Sequence, residues 1–312
     1  VSESNKLSPR VLIAFACVYV FWGSTYLAIR YGVAVMSPFL LGSVRFLIAG
    51  PLMLGICAAQ GMKLRAGCKQ FVLLAVIGVL VLGIGNQGVM WAEQYLPSGL
   101  AALLVAVIPL YVALIEVVLP GGEGLRARGW AGVGMGFAGL VALLAPGLRE
   151  GFHGTGKQLV GSLVCVVAAF GWTCGSVLSR RAQLGVTAFV AAGWEMVFAG
   201  LFNTGLMLLL EGPGWAAKAR FSGQAFWSVA WLVVFGSLVG YSAYIYLLDH
   251  VPVAKVSTYA YVNPIVAVVL GALFLGERLV GVEYLGMGAI LVAVYLVTSS
   301  KLQGLARVEQ EA

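Results

Sequence analysis

The chain is expected to be an all-α polytopic membrane protein whose ten transmembrane helices form two inverted-topology five-helix repeats, and three observations predict that class. The first is composition: of 312 residues, 61% are hydrophobic and 10% charged, whereas a soluble domain carries roughly a quarter charged residues. Mean hydropathy is +0.98. The second is segmentation into ten apolar runs, each close to the length that crosses the ~30 Å hydrocarbon core as a helix. The third is duplication. Pro97 and Pro109, in LPSGLAALLVAVIPLYVALIEVVL, recur as Pro252 and Pro264 in VPVAKVSTYAYVNPIVAVVLGALF, both pairs being 155 residues apart.

Taken in order, the apolar runs cover about 11–29, 39–59, 71–91, 98–119, 129–145, 159–178, 188–210, 226–248, 252–274 and 281–298. The first follows Lys6 and Arg10 as the core of a signal peptide would. It lacks a small-residue cleavage site, however, and its pattern returns at 159–178, so it reads as a retained helix. The division that follows is a cytoplasmic tail at 1–10, a first repeat at 11–145, a linker at 146–158, a second repeat at 159–298 and a cytoplasmic tail at 299–312. At an offset of 150 residues Trp22 matches Trp172, Arg30 matches Arg180, Phe39 matches Phe189 and Arg45 falls opposite Glu195. At 155 Gly85 matches Gly240, and after a one-residue slip Glu123 matches Glu277 and Gly132 matches Gly286. A repeat of five helices is odd, so the second copy enters the bilayer from the opposite side and the substrate is expected at the interface.

Orientation is read from Lys and Arg in the short loops. With both termini in the cytoplasm, twelve basic residues lie in inner segments and six in outer ones, and Arg45, inside a span, completes the 19. That distribution accounts for the net charge of +7 without nucleic acid, since no basic cluster interleaved with aromatics sits on a soluble domain. The five cysteines show no CxxC pair and four lie in apolar spans, which argues against a disulfide framework or a zinc site.

The segments FWGSTYLAIRYG (21–32), SVRFLIAG (43–50), LPSGLAALLVAVIPL (96–110) and YAYVNPIVAVVLGALFLGERL (259–279), with the glycine-spaced helix after them, resemble the EamA family of the drug/metabolite transporter superfamily. The resemblance covers essentially the full length. It implies ten helices in two inverted bundles around a central cavity, and export of small metabolites or drugs. It does not name the substrate, because that family handles amino acids, sugars, nucleosides, vitamins and toxic compounds.

Polar residues at bilayer depth are costly unless they face a cavity or a partner helix. Trp22 and Thr25 on the first helix, Asn86 and Gln87 on the third, Tyr111 on the fourth and Trp172 on the sixth are therefore candidates to line a substrate pocket, with Tyr241 and Ser242 on the eighth and Thr258, Tyr259 and Asn263 on the ninth. The bland reading of any Ser or Thr among them is interhelical hydrogen bonding. Arg45 and Glu195 are ionisable groups inside spans: Glu195 suits a coupling proton or a cationic substrate group, Arg45 a carboxylate, and a structural ion pair or snorkelling is the alternative for each. Pro109 and Pro264 lack an N–H and free the carbonyls of Val105 and Ala260, which marks them as gating positions. Lys255 reads as an interfacial positive charge or an attractor of anions. Arg30 is expected to cap the end of its helix, and Glu93, Asp249, Glu277 and Glu283 to be solvated. Gly132 and Gly136 form a GxxxG step that would buttress a bundle or join two protomers, leaving monomer and homodimer both open.

The function these features favour is secondary active transport of a small molecule by alternating access in the cell's inner membrane. The coupling partner would be a proton or a counter-substrate. No Walker A sequence is present, and HExxH and GxSxG are absent, which weighs against a nucleotide-driven pump and an intramembrane enzyme. A channel is the third class, and the chain has no TVGYG filter. No cofactor or metal is implied.

Overall fold

The computed structural model describes residues 8–120, 124–153, 156–215, 220, 222–251, 256 and 258–311, with the backbone alone at 150–153, 249 and 301–311. Pro252, Lys255 and Glu123, each singled out in the sequence, lie outside the described residues, and the side chain of Asp249 is likewise outside them. Among the described residues the structure is helical and contains no strand. In chain order the helices are α1 Pro9–Val33, α2 Pro38–Ala59, α3 Cys68–Ala92, α4 Ser98–Val118, α5 Ala127–His153, α6 Lys157–Arg181, α7 Ala188–Glu211, α8 Gly223–Leu248, α9 Tyr259–Leu275 and α10 Gly281–Glu311. Nine of these contain a stretch long and apolar enough to cross a membrane, and α9 is a shorter apolar helix of 17 residues.

Local chemistry sets the ends. The hydroxyls of Ser8, Ser37, Thr187 and Ser222 each accept from the backbone N–H three residues on, and Pro9 and Pro38 occupy the first helical turn where no N–H is missed. Gly276, at φ 64°, ends α9 in a left-handed turn that sends the chain back so that the Glu277 N–H reaches the carbonyl of Gly271 at 3.1 Å. The two prolines expected to interrupt their helices behave differently. α4 breaks into Ser98–Val105 and Ile108–Val118, with Pro109 in the first turn of the second piece. Pro264, by contrast, sits within a continuous α9, because it lies only one turn from the start of that helix.

The most extensive pairings are α5 with α10 and α2 with α7. Gly132 approaches the carbonyl of Ala293, and Gly139 and Gly286 face one another, so the glycine-spaced stretch of α5 packs on α10 within one chain. One apolar core joins α3, α4, α5, α6 and α10 around Leu100, Leu103, Leu143, Cys165 and Ile290. A second joins α1, α2, α3, α7 and α8 around Ile29, Leu41, Phe46 and Met196. Each core thus draws on residues before and after position 150. The outer surface is apolar too: Leu209, Leu273 and Leu285 are 79%, 73% and 72% exposed, as expected of a surface facing lipid rather than water.

Candidate functional site

Among the described residues, three helices carry turns closed by i→i+5 hydrogen bonds: Val18–Trp22 in α1, Val79–Asn86 in α3 and Leu232–Val239 in α8. Such turns are rare and recur at functional sites. All three border one central cavity of about 150 Å³. Glycine lets them do so at close quarters. A Cβ on Gly85 would come within 2.9 Å of the Trp172 side chain, and one on Gly240 within 2.6 Å of the Trp22 indole nitrogen.

The wall takes Trp22, Thr25 and Tyr26 from α1, Arg45 and Phe46 from α2, Asn86 from α3, Val105 and Pro109 from α4 and Trp172 from α6. α7 adds Glu195 and Met196, α8 adds Gly236, Ser237 and Tyr241, and α9 adds Tyr259, Ala260, Asn263 and Pro264. Val105 and Ala260, whose carbonyls the prolines free, therefore both reach the cavity. α5 and α10 contribute nothing to it among the described residues.

Arg45 is 5% exposed, so it does not snorkel. Its Nε donates to Ser237 Oγ at 3.1 Å, one terminal nitrogen donates to Asn86 Oδ1 at 3.0 Å, and the guanidinium carbon lies 4.8 Å from the centre of the Phe46 ring. Every one of these partners is neutral. Glu195, equally buried at 5%, makes no hydrogen bond or ion pair among the described residues. The cavity therefore presents a guanidinium and a carboxyl group that do not neutralise each other within 4.0 Å. At the α8–α9 side an aromatic cluster forms: Trp22 lies edge-on to Tyr259 at 5.4 Å and tilted to Tyr244 at 5.1 Å, with Tyr244 and Tyr259 5.8 Å apart. The Trp22 N–H donates to the Gly236 carbonyl at 3.1 Å. Asn263 is 8% exposed and its Oδ1 has no hydrogen-bond partner among the described residues.

Four residues expected on the wall are elsewhere. Gln87 is 3% exposed and turns into the seam between α2 and α7, its amide beside that of Asn203 over Gly42. Tyr111 packs edge-on to Phe170 at 5.7 Å, facing α5 and α6. Ser242 is half-buried away from the wall. The Thr258 hydroxyl lies 2.5 Å from that of Tyr19. The signal for residues that the sequence reading passed over was helical spacing: Tyr26 lies four residues after Trp22, and Ser237 four before Tyr241, on the face each candidate defines.

Three of the carboxylates expected to be solvated, Glu93, Glu277 and Glu283, are not. Glu93 is fully buried, Glu283 is 4% exposed and accepts the Val280 N–H at 2.7 Å, and Glu277 accepts both the N–H and the hydroxyl of Ser98, at 2.9 and 2.7 Å. Each sits at a helix end that the fold covers with another helix, which residue type alone does not report. Arg30 does not simply cap α1. It donates to the backbone carbonyl of Glu93 and lies 3.8 Å from Glu277. Glu116 and Arg181 pair at 2.8 Å at the other end of α4.

The family model for EamA-like transporters matches residues 9–145 and again residues 159–299. An uncharacterized inner membrane transporter of Escherichia coli K12, YedA, is 37% identical over 298 residues, which cover 95% of this chain and 93% of that protein. A probable amino-acid metabolite efflux pump of the same strain is 24% identical over 89% of this chain and 91% of its own length. One solved crystal structure, 24% identical, superposes with a TM-score of 0.63 over 92% of this chain and 96% of the other; that likeness is one of fold.

Proposed function

This chain belongs to the EamA-like transporter family, and from that premise we propose that it is a secondary active exporter of small organic molecules from the cytoplasm, working by alternating access in the inner membrane. The observation that carries the reading is the central cavity, walled by helices on both sides of position 150, in which Arg45 and Glu195 share one space without pairing. A guanidinium held by neutral groups retains its affinity for a carboxylate, and an unpaired carboxyl suits an ammonium group. The favoured cargo therefore carries both, or an aromatic body that the Trp22–Tyr244–Tyr259 cluster accepts. The name of the amino-acid efflux relative agrees with that chemistry.

The reading includes ten spans in two inverted repeats at 11–145 and 159–298, with both termini cytoplasmic. Its support is the double match of the family model and the pairing of α2 with α7 and of α5 with α10, the contacts a two-fold axis in the membrane plane would create. The halves would rock about the cavity, with the break before Pro109 and the turn at Pro264 as the moving parts. The partners in this reading are the lipid bilayer, the small-molecule substrate, and a proton or counter-substrate.

The experiment is counterflow in proteoliposomes against a panel of amino acids, sugars and cationic drugs. Exchange of at least one zwitterionic or aromatic amino acid is expected, and it should collapse in Arg45→Gln. A panel with no exchange, or current far beyond carrier turnover, would overturn the reading.

A further inference from the structure

One helical turn, about 5.4 Å, beyond the cavity wall at Tyr26 and Ala102 lies a cluster that the pocket does not use. Arg30 stands four residues after Tyr26 and Ser98 four before Ala102. Between them are Glu93, at the end of α3, and Glu277, in the turn after α9. Glu277 holds the start of α4 through the Ser98 N–H and hydroxyl, and Gly271 makes this possible, since a Cβ there would collide with both side chains. Arg30 bridges Glu277 and the backbone carbonyl of Glu93. The group forms a latch that ties the ends of α1, α3 and α4 to the α9–α10 turn.

Counting charges within the latch leaves one acid over. Among the described residues Arg30 is the single cation in contact, and Glu277 takes it together with two further donors. The Glu93 side chain is fully buried, and among the described residues neither carboxyl oxygen has a hydrogen-bond partner. The titratable groups around it are Arg30 and Tyr26 on α1, Cys165 on α6 and Glu277, while Arg45 on α2 is occupied by Asn86 and Ser237. Burial and then the Glu277 charge push the Glu93 carboxyl well above the usual carboxylate range, against the opposing pull of Arg30.

We propose that Glu93 is a proton-binding site exchanged against Arg30: the proton occupies Glu93 while Arg30 holds Glu277 and the latch is closed, and it leaves as Arg30 turns to the Glu93 carboxylate and the latch opens. In that step the Glu93 O–H bond breaks, its electron pair stays on the carboxylate, the proton passes to water, and Arg30 becomes the counter-ion. The proposal rests on the transport reading for the notion that this end of the cavity opens, and it names the proton as the ion coupled to that opening.

The test is a pH titration of the purified full-length chain in lipid nanodiscs, followed by infrared difference spectroscopy of protonated carboxyl groups and by hydrogen exchange of residues 94–104. In a Glu195→Gln background, which removes the buried acid of the cavity, a carboxyl component that persists above the ordinary Asp and Glu range is expected, and it should lose most of its amplitude on adding Glu93→Gln, which imitates the protonated acid and preserves packing. Glu277→Gln frees Arg30 and should lower the midpoint by about one pH unit or more, whereas Arg30→Gln should raise it. Exchange of 94–104, corrected for its intrinsic pH dependence, should quicken above the midpoint in the native chain and lose that step in Glu93→Gln. A component undiminished by Glu93→Gln in that background, a midpoint that neither partner variant moves, or exchange with no step at the midpoint overturns the proposal. A negative counterflow panel would leave these titrations unaltered, so the two readings fail separately.

Discussion

Trp172 packs its Cβ against Gly85 so closely that a Cβ on the glycine would lie 2.9 Å from it. The counterpart contact is swapped across the chain, with the Trp22 indole lying over Gly240. The tryptophans match at one offset and the glycines at another, so each half of the sequence supplies the ring that fills the other half's gap. Gly85→Ala and Gly240→Ala are each expected to cost about 1–3 kcal/mol by overpacking and to shift the tryptophan emission of the cavity. Thermal unfolding in detergent with fluorescence detection checks this, and unchanged melting with unchanged emission would show that the rings have room to spare.

Arg45→Gln removes a charge whose partners are all neutral, so no buried counter-charge is stranded. Folding should survive, while affinity for carboxylate-bearing substrates falls about ten- to a hundredfold, the worth of a charged hydrogen bond. Arg45→Lys should rescue only part of this, because a lysine cannot hold Ser237 and Asn86 in the same fork. Counterflow affinities for matched acids and amides are the measurement.

Glu277→Ala takes the acceptor from both donors of Ser98, whereas Ser98→Ala leaves the backbone N–H bond in place. The first should cost about 1 kcal/mol, as loss of a helix cap does, and the second less. Equal melting temperatures for the two variants would contradict the capping role.

Glu93 gives stability a pH dependence of known sign. Its folded-state affinity for protons is raised, so between the unfolded value of about 4.3 and the higher folded value the native state binds more protons than the unfolded one. Stability therefore falls as pH rises through that window and levels off above it. Melting temperatures across pH should show this decline in the native chain, and Glu93→Gln should flatten it.

Pro264→Ala restores a donor for the Ala260 carbonyl at the cavity wall and is expected to slow exchange with little change in apparent affinity. Pro109→Ala should have the smaller effect, because α4 is already broken before that residue, at Ala106 and Val107. Turnover numbers from counterflow time courses decide between them.

The helical, membrane-spanning class and the family were legible in the sequence alone. A run of apolar residues long enough for the hydrocarbon core must close its own backbone hydrogen bonds, and that requirement is local to each segment. Which polar side chains share a space was settled only in three dimensions. Asn86 faces the cavity and Gln87 does not, and Tyr241 faces it and Ser242 does not, because consecutive side chains on a helix point about 100° apart and only the packing of the helices decides which of two neighbours meets the cavity. The burial of Glu93 against Arg30 and Glu277 is likewise a product of tertiary structure. Those residues are far apart in the chain, and the low-dielectric setting that governs a carboxyl group's charge exists only once the helix ends have met.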